Sequence, residues 1–94
     1  MEALSEAVLE TPGELDPALR RMIAAYAGGE EADPPEELRT YLDKVARHAY
    51  KVVDADLDRL RKLGYSEDAI FELTLAAALG AARTRLEAGL AALR

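Results

Sequence analysis

Few side chains in this sequence could do chemistry. His48, in "VARHAYKVV", is the single histidine of the chain and its only unperturbed neutral-pH titrant, so an acid–base reaction would run through it. Glu72 interrupts the apolar run "AIFELTLAAALGAA" at 69–82. A carboxylate held there away from water is a candidate general acid or base. The structural alternative is a helix edge at solvent, or an ion pair with Arg83 or Arg85 of another helix. His48 likewise reads as a partly exposed structural residue. Tyr41 and Tyr50 could offer hydroxyls to a small acid, or pack at an interface. Arg83 and Arg85 could hold a carboxylate, or offset a helix dipole and pair with the abundant acids. No Ser-His-Asp order, phosphate-binding glycine loop or metal-ligand spacing occurs. With no cysteine and one histidine, neither a disulfide nor a zinc site is expected, and no cofactor is implied.

The elements that must position these residues are helical. Ala and Leu supply 34 of the 94 residues, Glu, Arg and Asp carry most of the charge, and no alternating apolar run suggests a strand. Asn, Gln, Cys and Trp are absent, a profile that fits a thermophile or a GC-rich genome. The net charge of −6 is uneven: residues 1–40 hold ten acids and three bases, residues 41–94 eight and nine. That excludes a basic stripe, so no nucleic acid is expected as a partner. Glu2 and Glu6 stand where a signal peptide needs basic residues, and the longest apolar stretch is shorter than the ~20 residues of a membrane span. A cytoplasmic protein without membrane contact is expected.

Start and stop signals divide the chain into about five helices of a single all-α domain, 1–94. Residues 3–10 suggest a short helix within an N-terminal arm, 1–14. Asp16-Pro17 starts the next, whose stripe of Leu19, Met22, Ile23 and Tyr26 closes at Gly28-Gly29. Asp33 and Glu36 read as a capping box, with Pro at the first helical position. From there Leu38, Tyr41, Leu42, Val45, Ala46, Ala49 and Val52 follow one face for about four turns. Asp54 starts a short helix with Leu57, Leu60 and Leu63, stopped by Gly64, after which Tyr65 folds back on it. Ser66 caps the last helix, which runs to the C-terminus with a weak point at Gly80.

That last helix is Ala-rich and apolar on nearly every side. A chain this short buries only about 60–65% of its unfolded surface, so reinforcement by oligomerisation is expected. One side of the helix should meet the chain's own helices and the other a second copy, with the small residues at 76, 80 and 81 at the contact between copies. An ordinary buried helix within one subunit is the alternative.

Residues 60–73, "LRKLGYSEDAIFEL", together with the acidic lead-in at 54–58 and the long Ala-rich helix, resemble the alkylhydroperoxidase-D-like superfamily, which includes the carboxymuconolactone decarboxylases. The likeness covers about residues 36–94 and rests on a helix–Gly–capped-helix turn. It implies an all-α fold and a homo-oligomer, dimer or hexamer, with interleaved helices. The family's redox members carry Cys-x-x-Cys and a following His before this turn. Setting Gly64 on the family's Gly puts those positions at Ala49, Val52 and Asp56, none of which can do thiol chemistry. In a second register, 36–94 matches the cysteine-free half of longer members. Either register excludes a thiol peroxidase.

Three functions stay open on these grounds. One is a structural or small-ligand-binding oligomer, with a small organic acid as the ligand. Another is a cofactor-free decarboxylase- or isomerase-type enzyme using His48 and Glu72, with Tyr50 a further catalytic candidate. The last is an adaptor offering its acidic N-terminal helices to a protein partner.

Overall fold

Four α-helices and one short 3-10 turn form where glycine, proline and side-chain caps punctuate the chain. The computed structural model describes residues 13–93, in which no strand occurs. The expected helix at 3–10 lies outside the described residues. The elements are α1 (Pro17–Ala27), α2 (Glu36–Arg47), a 3-10 turn (Ala49–Lys51), α3 (Asp54–Lys62) and α4 (Glu67–Ala92). The long C-terminal helix is the rod of the fold: α1 packs most extensively along it, α2 next, and α3 least.

α1 starts as its sequence directs. The Asp16 carboxylate accepts the Ala18 N–H at 2.8 Å, and Pro17 takes the first helical position. Its buried residues are Arg20, Ile23, Ala24 and Ala27, one position round from the expected stripe; Met22 is exposed. The rotation has a cause. A Cβ at Gly80 of α4 would lie within 2.8 Å of the Ala24 Cα and closer still to its carbonyl. The two helices therefore cross backbone to backbone, which needs the alanine face of α1 inward rather than Met22. Gly80 is accordingly no weak point, and α4 runs through it unbroken. The α1 end is fastened to the same helix, where the Thr84 hydroxyl donates to the Gly28 carbonyl at 2.8 Å. Gly29, with φ of 89°, then turns the chain away.

Two boundaries differ from the sequence expectation. Asp33 does not cap α2, because Pro34 precedes Pro35 and so avoids the helical backbone that a first helical residue needs. Pro35 becomes the N-cap and the helix starts at Glu36. Asp33 instead pairs with Arg39. At its other end α2 stops after Arg47, about three turns long, rather than continuing to Val52. His48 leaves helical backbone, with φ of −142° and ψ of 51°, and after the 3-10 turn the β-branched Val52 and Val53 are extended. The Asp56 carboxylate then fixes the restart, accepting the Val53 N–H at 2.9 Å and the Lys44 ammonium at 2.8 Å. Val53, not Asp54, is thus the N-cap of α3. Ala49 is exposed, while Leu38, Tyr41, Leu42 and Ala46 form the buried face.

The α3–α4 turn follows its sequence closely. Gly64 has φ of 101°, the Tyr65 N–H donates to the Leu60 carbonyl and the Gly64 N–H to that of Arg61. This is the paired arrangement in which a left-handed glycine ends a helix. Leu60 is fully buried and Tyr65 packs on the core, whereas Leu63 is exposed. Ser66 Oγ accepts the Ala69 N–H at 3.1 Å to start α4.

Ala69, Ile70, Leu73, Ala76, Ala77 and Ala81 of α4 join Ile23, Leu38, Leu42 and Leu60 in one core, and Gly80 is buried with them. The small residues at 76, 80 and 81 thus face this chain's own helices, correcting their expected place between copies. The apolar residues on the far side are a different set. Phe71 (66% exposed), Leu75 (36%), Leu86 (47%), Leu90 (46%) and Leu93 (84%) remain open to solvent, with exposed Ala78 and Ala82 among them. At 3.6 residues per turn these seven share one side of the helix, on which Leu79, between the directions of Leu86 and Leu90, is buried. All residues of α4 from Thr84 onward are exposed, so its last two turns overhang the body.

Candidate functional site

Glu72 sits where α4 passes the entry to α1. Its two carboxylate oxygens accept the backbone N–H groups of Glu14, at 2.8 Å, and Leu15, at 3.0 Å. Arg20 Nε, buried on α1, lies 4.0 Å from the same carboxylate. Gly13 permits this closeness: a Cβ there would come within 2.5 Å of the Glu72 oxygen. Burial alone would raise the Glu72 pKa, but the Leu15 and Glu14 donors and the Arg20 charge outweigh it and hold the carboxyl below its usual range. The group is an anchored anion that ties the chain before α1 to α4. A general base needs a free lone pair and a pKa nearer neutrality, and this environment works against both. The expected ion-pair partners, Arg83 and Arg85, are not the one found; Arg20 is.

His48 caps the end of α2 and is exposed. Its ring meets the Tyr50 ring edge-on, with centroids 6.0 Å apart. Tyr50 itself is 80% exposed, and the Lys51 ammonium lies 6.0 Å from its ring centre. The helix break at His48 creates this basic, aromatic knuckle by turning residues 49–51 outward. Tyr41 is placed differently. It is buried and directs its hydroxyl to Thr74 Oγ1 at 2.7 Å, while Thr74 donates to the Ile70 carbonyl at 2.7 Å. That chain satisfies the tyrosine inside the core and leaves nothing for a ligand.

Of two clefts formed by described residues, neither is lined by His48, Tyr50 or Glu72. The larger, about 470 Å³, lies beside the α1–α4 crossing and is walled by Arg21, Glu30, Arg83, Thr84 and Glu87 over a floor that includes Ala24, Gly28 and Gly80. The second, about 370 Å³, is a shallow hollow on α3 between Ala55 and Leu63. Of the two arginines expected to hold a carboxylate, Arg83 lines the larger cleft. Arg85 instead donates to the Ala46 carbonyl, at the end of α2. Arg21, Glu30 and Glu87 were not singled out in the sequence. Their signal was weak: they look like ordinary solvated charges until the Gly80 crossing brings α1 against α4. Two arginines and two glutamates stand around the cleft, so its formal charge is balanced.

Among the described residues no group of three or more His, Cys, Asp or Glu side chains is placed to hold a metal ion, and no helix is long and apolar enough to cross a membrane. Comparison with protein-family models, with curated proteins and with solved structures finds no match.

Proposed function

We propose that this chain is a small cytoplasmic all-helical subunit that works by assembly rather than by chemistry. In this reading it is a homo-oligomer, a dimer or a hexamer, with a structural or small-ligand-binding role. The observation that carries the reading is the exposed apolar stripe from Phe71 to Leu93 on the far side of the core helix. Monomeric proteins rarely leave so continuous an apolar strip in water, and a single core in a chain of 94 residues gains from a second one at an interface. The likeness of residues 36–94 to the alkylhydroperoxidase-D-like superfamily belongs to the same proposal, supported by the Gly64 stop and the Ser66 cap. The missing cysteines remove the thiol chemistry of that family's redox members.

Light scattering on the full chain across micromolar concentrations tests the reading. Wild type should give a multiple of the 10.2 kDa chain mass, and Leu86→Glu should give a monomer with an unchanged fold, because only an interface would desolvate that charge. A wild type that stays monomeric throughout would end the proposal.

A second reading rests on the larger cleft. A small organic acid seated there would meet Arg83 and Arg21, with Thr84 beside them. Small mono- and dicarboxylates should then raise the melting temperature of wild type but not of Arg83→Ala. An enzyme using His48 and Glu72 has less support, since the knuckle and the α1 anchor hold those two groups for other work.

A further inference from the structure

We infer that the partner of the α4 stripe is a second copy of this chain, laid antiparallel about a two-fold axis through Ala82. This rests on the assembly reading above and adds the occupant's direction and register. Three observations point to it. The first is the pattern of sizes along the stripe. About an axis at Ala82, Leu86 of one copy faces Ala78 of the other, Leu75 faces Gly89, and Phe71 faces Leu93. Large residues thus meet small ones through the middle, as interdigitated helices require. A Cβ at Gly89 would meet nothing within 4 Å in the single chain, leaving space for Leu75 to enter. A parallel pair would set Leu75 against Leu75 and Gly89 against Gly89, alternating bulges with gaps.

The second observation is the overhang. Residues 84–93 are all exposed, with Leu86 and Leu90 about half open, at 47% and 46%, and Leu93 the most open at 84%. Antiparallel pairing lays each overhang along the anchored half of the other α4, with Leu93 over Phe71. Parallel pairing would leave both overhangs together, beyond either body. The third is charge. Glu67 and Asp68 occupy the first turn of α4, and an antiparallel pair keeps these two acidic ends apart while opposing the helix dipoles. A stripe of this length covers about 33 Å at 1.5 Å per residue. The contact is therefore small beside a standard interface of roughly 1,600 Å², and the pairing should depend on concentration.

The chain lacks cysteine, so an introduced thiol reports on the interface without background. Disulfides form only where Cα atoms come within about 7 Å. At a concentration where wild type is dimeric, Ala82→Cys should cross-link to itself under mild oxidation. Phe71→Cys and Leu93→Cys should each fail alone and cross-link when mixed, at least tenfold faster than either alone. Ala82 is exposed, so the fold should tolerate the change, and a thermal melt checks this. Self-cross-linking of Leu93→Cys or Phe71→Cys as fast as Ala82→Cys would show a parallel pair and overturn the inference while leaving assembly intact. A dimer in which no stripe position cross-links would place the interface elsewhere and also overturn it. A wild type that is monomeric at every concentration would sink both this inference and the assembly reading. A monomer that turns dimeric on Leu4→Glu would give the stripe to the chain's own residues 1–12, which overturns the pairing as well.

Discussion

Gly80 and Gly89 stand on the same helix and on opposite faces of it, and they do opposite things. A side chain at Gly80 would collide with the Ala24 backbone, whereas one at Gly89 would meet nothing within 4 Å. The inner face of α4 is closed to the last methyl, with Leu73, Ala76 and Ala77 fully buried. The outer face is as apolar in composition but lies open. Composition therefore does not distinguish a core from an open face; only the presence of a neighbouring backbone does. That is why the helix is apolar nearly all round while just one side of it contributes to the fold of the single chain.

The sharpest way to break this comparison is at Gly80. Gly80→Val forces two methyls into the Ala24 backbone, and neither helix can yield without opening the α1–α4 contact. Overpacking of this kind commonly costs about 1–3 kcal/mol and sometimes more; with a backbone as the obstacle, about 3 kcal/mol or loss of folding is expected. Denaturant melts of wild type and variant measure it. A near-normal melt would mean the two helices are farther apart than described.

Next in size is the anchor at Glu72. Glu72→Ala leaves the Glu14 and Leu15 N–H groups without their acceptor and Arg20 without its carboxylate, a loss of about 2–3 kcal/mol. The pH dependence has a definite sign. The folded-state pKa of Glu72 is depressed, so its contribution is fully present above the unfolded value of about 4.3 and disappears as pH falls through the folded one. Wild type should therefore lose its advantage over Glu72→Ala on acidification below about pH 4. Melts at pH 7, 4 and 3 follow this directly. An advantage that is the same at all three would show that the carboxylate charge contributes nothing.

Gly64→Val should act on neither face of α4, yet still cost about 1 kcal/mol or more. At φ of 101° a β-branched residue is strained whatever space surrounds it. The thermal midpoint should fall by about 4–8 °C per kcal/mol, with the oligomeric state unchanged; an unaltered midpoint would show that the turn relaxes around the new side chain.

What could be read from the sequence follows the same division between local and long-range causes. The Asp16-Pro17 start, the Gly64 stop and the Ser66 cap are decided by residues within a few positions, and they appear where the sequence puts them. The Asp33 cap and the four-turn α2 misread local competition: two prolines delay one start, and His48 leaves helical backbone where apolar periodicity would continue the helix. The rotation of α1, and with it the larger cleft, depends on a glycine more than fifty positions away in the chain. Nothing near Met22 signals that Ala24 must face inward. The placing of small residues between copies failed for a related reason, since Ala76, Gly80 and Ala81 permit close approach without naming the helix that approaches. Tyr41 shows a further limit: its partner Thr74 belongs to α4 and is visible only once α2 is docked.

The smallest effect separates the two faces most cleanly. Gly89→Ala adds one methyl to an exposed helix interior, where nothing in the single chain opposes it. Replacing glycine by alanine there should stabilise by about 0.5–1 kcal/mol through helix propensity alone. In dilute solution the variant should therefore melt a few degrees higher than wild type. If a second copy places Leu75 against this position, the added methyl also narrows the space that Leu75 enters, so the gain should shrink as concentration rises and association begins. A gain that is independent of concentration would mean that Gly89 never meets a partner, and the outer face would then be open at this end of the helix.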